Sequence, residues 1–203
     1  YEGNPVVKHA GRDPRLLWHE PTQRWVMALY DEQDKKQWIA FYTSPNLQQW
    51  EFASRIEGFY ECPDFFELPI DGNASKNRWV LTAASSEYRV GAFDGKTFTT
   101  ETPKLPGHRG KGFYAAQTFS QDPKERIVQI GWLQTATPGM PFNQAMSLPL
   151  KLSLRQTPGG PRLAWQPVAE LAALRGKQLA KLLRPLPPGE DALAGLHGEL
   201  LEI

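Results

Sequence analysis

The sequence contains a single cysteine, Cys62, so neither an intrachain disulfide nor a cysteine-based zinc site can form. Its four histidines lack the i, i+4 spacing that places two metal ligands on one face of a helix. No stretch approaches the roughly eighteen uninterrupted apolar residues of a membrane span, and the first residues show no signal-peptide pattern. We therefore expect no metal, no cofactor and no membrane partner for this chain.

An excess of charge of either sign is also lacking. The 23 basic and 22 acidic side chains leave a formal net charge of +1, so the basic surface that neutralises a phosphate backbone is missing. Nucleic acid is therefore excluded as a partner. At 203 residues and 40% hydrophobic composition, the chain has enough apolar material to bury a core, which excludes intrinsic disorder.

Aromatic residues, glycine and proline are abundant, with 7 Trp, 10 Phe, 6 Tyr, 17 Gly and 18 Pro. This composition favours many short strands separated by turns. Segments rich in β-branched and aromatic residues predict strands at 24–30, 38–43, 78–83 and 126–132. The sequence therefore predicts an all-β fold.

A basic residue followed by a hydrophobic strand recurs at Arg24, Arg78 and Arg126, at spacings of 54 and 48 residues. A period near fifty residues indicates propeller blades, and a fourth unit is expected from 140 to 165. Asp13 and Glu61 are also 48 residues apart. Because the innermost strand of each blade lines the central channel, two carboxylates one blade apart are expected to face one pocket.

The composition changes after residue 167, where we place the end of the propeller domain. Residues 168–183 have the alanine, leucine and lysine content of a short helix, and 168–195 are assigned to a helix and linker. The last residues, 196–203, alternate polar and apolar side chains and are predicted to form a strand.

Several motifs together resemble glycoside hydrolase family 32, the family of invertases, inulinases and levanases. The motifs occur in the family's order and spacing as Arg12–Pro14 (RDP), Glu61–Asp64 (ECPD), Phe93–Phe98 (FDGKTF), Phe113–Phe119 (FYAAQTF) and Arg126–Trp132 (RIVQIGW). Each short motif is weak alone, but the ordered set is specific and covers nearly the whole chain. A further segment, Met140–Gln144, resembles the levanase and fructan β-fructosidase branch.

The resemblance implies a five-bladed β-propeller followed by a β-sandwich, which hydrolyses terminal β-linked fructose with retention of configuration. By the same resemblance, Asp13 holds fructose hydroxyls and stabilises the transition state, and Glu61 is the general acid/base. The family's nucleophile is an aspartate in an N-terminal Asn-Asp-Pro motif, and this sequence contains no such motif. We therefore expect the chain to comprise blades two to five and the start of the β-sandwich, with the nucleophile located before Tyr1.

The residue types at these positions suit this chemistry. Glycoside hydrolysis needs one protonated and one ionised carboxyl group. The aromatic neighbours of Glu61 in sequence predict an apolar setting that raises its pKa, whereas Asp13 beside Arg12 is expected to stay ionised. Arg12 and Tyr114 are candidates for substrate binding, and Arg12 can also orient a carboxylate. Cys62 joins the substrate-binding set as a buried, nearly inert thiol.

Three functions are consistent with these features. The first is a secreted or periplasmic β-fructosidase acting on levan, inulin or sucrose. The second is a catalytically silent fructoside-binding or structural propeller fragment, which could associate with itself through open blade edges. The third is a related furanosidase or inverting propeller hydrolase that acts on arabinan-like substrates.

Overall fold

The computed structural model describes residues 1–108, 110–181 and 184–198, and nearly all of its regular structure is antiparallel β-sheet. The first sheet contains four strands in sequence order: β1 (Arg12–His19), β2 (Arg24–Gln33), β3 (Lys36–Ser44) and β4 (Glu51–Glu57). A 3-10 helix, Glu20–Thr22, connects β1 to β2. The predicted strands at 24–30 and 38–43 are confirmed within β2 and β3.

The second unit repeats this arrangement with β5 (Asp64–Ile70), β6 (Asn73–Thr82), β7 (Tyr88–Phe93) and β8 (Phe98–Thr100). Asp71 and Gly72 form the two-residue turn between β5 and β6, with φ angles of 50° and 75°. Because a tight hairpin of this kind needs positive φ at both central residues, an Asp-Gly pair suits the position. The strand predicted at 78–83 lies within β6, except for its last residue.

The third unit begins with β9 (Phe113–Thr118) and β10 (Val128–Leu133). One edge of β10 pairs with β9, and the other pairs first with β11 (Ala145–Met146) and then with β12 (Leu150–Thr157). The hairpin partner of β12 is β13 (Gly160–Pro167). The expectation of a separate fourth unit at 140–165 is therefore wrong, because its strands complete the sheet that β9 and β10 begin.

The first strand of each unit is the inner one, and β5 lies between β1 and β9. Side chains alternate between the two faces along each strand, so the second unit packs against the first unit on one face and the third unit on the other. On β5, Phe65 packs against the first unit, whereas the next residue, Phe66, packs against the third. On β6, Leu81 and Val80 divide in the same way. The two hydrophobic cores therefore fill the spaces between neighbouring units.

Contacts divide the chain between Pro167 and Val168. In the second part, the helix predicted within 168–183 is a single 3-10 helix, Ala169–Leu174, whose N-terminus has no side-chain cap. Such a short segment is marginal as an α-helix, and its prediction from composition alone was too long. Of the strand predicted at 196–203, residues 199–203 lie outside the described residues, and 196–198 have no regular structure.

Replacing Phe65 by alanine is expected to lower the free energy of unfolding by about 3–5 kcal/mol, because a buried aromatic ring leaves a cavity. Phe65 is 1% exposed, and its ring stacks on Trp79 with centroids 4.6 Å apart. Urea unfolding of the full-length protein, followed by tryptophan fluorescence, measures the change. Phe52, which is 57% exposed, provides the control, since Phe52→Ala should change the unfolding free energy by under about 0.5 kcal/mol. Equal effects of the two substitutions would contradict this account of the core.

Candidate active site

The site forms where the beginnings of the three inner strands meet. Asp13 is the second residue of β1, Glu61 precedes β5 by three residues, and Tyr114 is the second residue of β9. Residues 48 and 53 positions apart in sequence are thus brought together, as the spacing of the units predicts. All five residues predicted for the site, Arg12, Asp13, Glu61, Cys62 and Tyr114, belong to one connected set of contacts, in which Arg12 Nε lies 3.9 Å from Asp13 Oδ2.

Two bulges shape the strands that carry these side chains. On β1, Asp13 and Pro14 stand opposite the single residue Leu29 of β2. On β9, Ala115 and Ala116 stand opposite Gly131 of β10. A bulge bends its strand and redirects the adjacent side chain, so these bulges lie at the points where the site residues leave the sheet.

The backbone at the site adopts conformations that are uncommon for residues with side chains. The φ angles of Asp13, Glu61, Cys62 and Ala115 are 59°, 50°, 43° and 49°. Neighbouring backbone holds this geometry, since the N–H of Ala84 donates to the carbonyl of Glu61 at 3.1 Å. Positive φ at non-glycine residues persists only where the surroundings enforce it, and such positions cluster at functional sites.

The Glu61 carboxylate is held on both of its oxygens. Arg12 donates to Oε1 through Nη2 and, at 3.1 Å, through Nε, whereas the hydroxyl of Tyr114 donates to Oε2 at 2.8 Å. The hydrogen bond from Arg12 keeps the pKa of Glu61 below its ordinary value, against the opposing effect of burial. The expectation of a raised pKa for Glu61 is therefore wrong for this state of the site.

The Asp13 carboxylate faces the same group of residues. Its Oδ2 accepts the backbone N–H of Cys62 at 3.0 Å, and the Cys62 thiol lies 3.6 Å from the same oxygen. Burial, followed by the charge of Asp13, raises the pKa of Cys62 to about 11. A thiol with this pKa stays protonated and donates to the carboxylate, which does not favour a nucleophilic role.

Aromatic rings surround the Arg12 guanidinium. Its Cζ lies 4.6 Å from the ring centroid of Tyr30 and 5.9 Å from that of Tyr60. Such contacts attract a cation to the ring face and fix the plane of the guanidinium. Half of the Arg12 side chain remains exposed, so the group that binds Glu61 is also accessible to a ligand.

Tyr114 is supported from β10. The ring of Trp132, its cross-strand partner, meets the Tyr114 ring edge to face with centroids 6.2 Å apart. Burial raises the pKa of Tyr114, and the hydrogen bond to Glu61 acts in the same direction. The phenol therefore stays protonated and donates to the carboxylate. Trp132 is 41% exposed, which leaves an aromatic surface next to the site.

The polar residues beneath the site were not predicted from the sequence. Asp64, which is fully buried, lies 3.1 Å from Arg15 Nε and accepts hydrogen bonds from Thr118. Nearby, the Gln117 side chain donates to the carbonyls of Cys62 and Pro63. The sequence did contain one signal for Asp64, because it directly precedes two strand phenylalanines. A charge buried among such residues is costly unless it is paired.

Within the described residues, no group of three histidine, cysteine, aspartate or glutamate side chains is arranged to hold a metal ion. The same part of the chain contains no helix with the length and apolar character of a membrane span.

Comparison with known proteins gives a consistent set of relatives. Residues 1–167 match the family model of the glycosyl hydrolases family 32 N-terminal domain. The chain is 36% identical over 235 aligned positions to a levanase of Bacillus subtilis (strain 168), covering all of this chain and 34% of the levanase. It is 31% identical to an extracellular exo-inulinase of Aspergillus niger, covering 82% of this chain and 36% of that enzyme. The chain thus spans about a third of the length of the curated relatives it matches.

Solved structures agree with the sequence relatives. The exo-inulinase of Aspergillus awamori superimposes with a TM-score of 0.71 at 27% identity, over 81% of this chain and 39% of the other. A β-fructofuranosidase of Schwanniomyces occidentalis, complexed with fructosyl-erythritol, gives a TM-score of 0.71 at 31% identity, over 83% of this chain and 38% of the other.

Proposed function

Because the chain belongs to glycosyl hydrolases family 32, we propose that it forms part of a glycosidase that releases terminal β-linked fructose from levan, inulin or sucrose. Solved structures in this family are five-bladed β-propellers, and the three units described above are built on that fold. The observation that carries the proposal is that Asp13 and Glu61, from adjacent units, are joined by shared contacts with Arg12 and Cys62. Two carboxyl groups in one exposed site match the chemistry of glycoside hydrolysis.

In this proposal, Glu61 is the general acid/base. Its proton passes to the glycosidic oxygen as the bond from that oxygen to the fructose anomeric carbon breaks, so the leaving group departs as a neutral alcohol. In the second half of the reaction, the Glu61 carboxylate takes a proton from the attacking water. Tyr114, through its hydrogen bond to Oε2, keeps the carboxyl group oriented during both steps.

Asp13 is proposed to remain ionised and to stabilise the positive charge that develops on the fructose ring in the transition state. It also offers acceptor oxygens to the sugar hydroxyls. The backbone N–H of Cys62 fixes one of these oxygens, which leaves the other available to the substrate. Cys62 therefore contributes to substrate binding through Asp13.

Arg12 links substrate binding to the protonation of Glu61. In the free site, its guanidinium favours the ionised carboxylate, yet the general acid must carry a proton. A bound fructosyl unit can accept hydrogen bonds from the exposed guanidinium and exclude water from the carboxyl group. Both effects disfavour the ionised form, so the pKa of Glu61 is proposed to rise when substrate binds.

This linkage predicts different pH profiles for kcat/KM and for kcat. The profile of kcat/KM reports the free enzyme and that of kcat reports the complex. Because activity falls as pH rises through the pKa of the acid, the fall in kcat/KM for sucrose is expected at lower pH than the fall in kcat. Arg12→Gln should move the fall in kcat/KM to higher pH. A fall in both quantities at the same pH would contradict the linkage.

A retaining mechanism also needs a nucleophilic carboxylate. Asp13 and Glu61 have other roles in this proposal, and the Asn-Asp-Pro motif that the family resemblance implies for the nucleophile does not occur in this sequence, so we propose that the nucleophile lies outside these 203 positions. The alternative is a chain that binds fructosides without turnover, with self-association through its sheet edges. We further propose that the enzyme is secreted or periplasmic, since relatives are named as extracellular exo-inulinases.

The direct test is sugar release by the full-length protein from levan, inulin, sucrose and arabinan, measured by chromatography of the products. Fructose released from at least one of the first three substrates is the expected result. Release of arabinose alone would favour the arabinan-directed alternative. Fructoside binding by calorimetry without any release would favour the silent alternative.

A further inference from the structure

A polar cluster built around the fully buried Asp64 joins the three inner strands beneath the candidate active site. It consists of Arg15 on β1, Asp64 on β5 and Thr118 on β9, which we call the inner-strand cluster. The backbone ladders of these strands run to other partners: β1 to β2, β5 to β6 and β12, and β9 to β10. The cluster therefore provides a side-chain connection between strands that belong to different units.

The contacts of Asp64 account for both of its oxygens. Oδ2 accepts the backbone N–H of Thr118 at 2.6 Å, and Oδ1 accepts the Thr118 hydroxyl at 3.1 Å and the backbone N–H of Phe65 at 3.0 Å. Arg15 Nε lies 3.1 Å from Oδ1, and its Nη2 donates to the Thr118 hydroxyl at 2.8 Å. The Thr118 hydroxyl thus bridges the cation and the anion.

Each member of the inner-strand cluster follows a site residue by a short stretch of strand. Arg15 follows Asp13 by two residues, Asp64 follows Glu61 by three, and Thr118 follows Tyr114 by four. A displacement of one inner strand relative to another would therefore change the separation of Asp13, Glu61 and Tyr114. The stretches in between contain the positive φ angles of the site, which need a fixed frame to persist.

We propose that the inner-strand cluster positions Glu61 for proton transfer, with Thr118 and Asp64 acting as positioning residues. This inference rests on the proposed role of Glu61 as the general acid. Proton transfer is sensitive to distance, so a loosened cluster lowers the rate while the substrate contacts of Arg12 and Asp13 remain in place. A purely structural cluster would instead affect all substrates alike through the amount of folded enzyme.

Thr118→Val in the full-length protein tests the inference. The substitution removes the bridging hydroxyl but keeps the side-chain shape, the backbone N–H to Asp64 and the pairing of Arg15 with Asp64. For sucrose, kcat is expected to fall about 10-fold with KM nearly unchanged, because small misplacements of reacting groups are costly. For 4-nitrophenyl β-fructofuranoside, whose leaving group needs little protonation, kcat/KM should change less than about 2-fold, because kcat/KM reports the step that releases the leaving group and not the later attack of water. Thr118→Ser, which restores the hydroxyl, should recover most of the activity on sucrose.

Two further variants complete the experiment. Val80→Ala, in the core between the second and third units, controls for lost stability and should leave the ratio of the two substrates' kcat/KM values unchanged. Arg15→Lys, which keeps the charge but removes the fork that reaches Thr118, replaces Thr118→Val if that variant does not fold.

Equal losses of kcat/KM on both substrates, or no loss on sucrose, would overturn the positioning role. Glu61→Gln, measured in parallel, distinguishes a failure of the acid role of Glu61 from a failure of the positioning role of the cluster. If its losses on the two substrates were also equal, the acid role of Glu61 and the inference that rests on it would both fail. If only Glu61→Gln distinguishes the substrates, the acid role stands and the positioning role is wrong.

Discussion

Glu61→Gln is expected to lower kcat for sucrose by about 10²- to 10⁴-fold, the range that a positioned general acid contributes. Glutamine has nearly the same shape: its amide oxygen can still accept the hydrogen bonds from Arg12, and its NH2 group can donate to the Tyr114 hydroxyl, but it has no acidic proton to give to the leaving group. KM should therefore change little. Steady-state fructose release by the full-length protein measures both constants.

A matched control exists on the same strand. Glu67, on β5, is exposed, and Glu67→Gln should leave kcat for sucrose within about 2-fold of the unsubstituted enzyme, as expected for a surface change. If Glu61→Gln retained full activity on sucrose, Glu61 could not be the general acid, whatever the effect on stability.

Asp13→Asn is expected to lower kcat by about 10²- to 10³-fold, comparable with the loss of one preorganised group that stabilises transition-state charge. Asparagine can still accept the N–H of Cys62, so the local geometry should survive while the negative charge is lost. Because that charge acts on the fructose ring, the loss should be similar for sucrose and for 4-nitrophenyl β-fructofuranoside. This pattern differs from that expected for Glu61→Gln.

The control for this substitution is Asp34→Asn, in the exposed turn between β2 and β3, where asparagine also tolerates the positive φ of 52°. It should leave kcat unchanged on both substrates. If Asp13→Asn lowered activity on sucrose only, Asp13 would act on the leaving group and not on the positive charge that develops on the fructose ring.

Much of the architecture was accessible from sequence because local patterns determine it. Segments rich in β-branched and aromatic residues predicted strands that coincide with much of β2, β3 and β6, and the ordered motifs correctly indicated the family and its all-β propeller fold. The spacing of Asp13 and Glu61 placed them on neighbouring units, since a repeat converts distance in sequence into adjacency around an axis.

The features that could not be predicted from the sequence depend on contacts between residues that are distant in the chain. The aromatic neighbours of Glu61 in sequence suggested an apolar environment, yet the Phe65 and Phe66 side chains fill separate cores, and Arg12 and Tyr114 hold the carboxylate. The supposed fourth unit failed for a similar reason, because β12 pairs with β10 across a connection that sequence periodicity does not reveal. The partners of Asp64, at positions 15 and 118, are equally remote in sequence.

Rescue by azide tests the central claim most directly. In a Glu61→Ala variant, 4-nitrophenyl β-fructofuranoside can still form a fructosyl–enzyme ester, since its leaving group needs no acid, and azide can then attack the anomeric carbon without a general base. The account predicts faster turnover with azide and a fructosyl azide of retained β configuration, identified by NMR. An azide product of inverted configuration, or no azide product at all, would contradict the assignment of Glu61 as the acid/base of a retaining fructosidase.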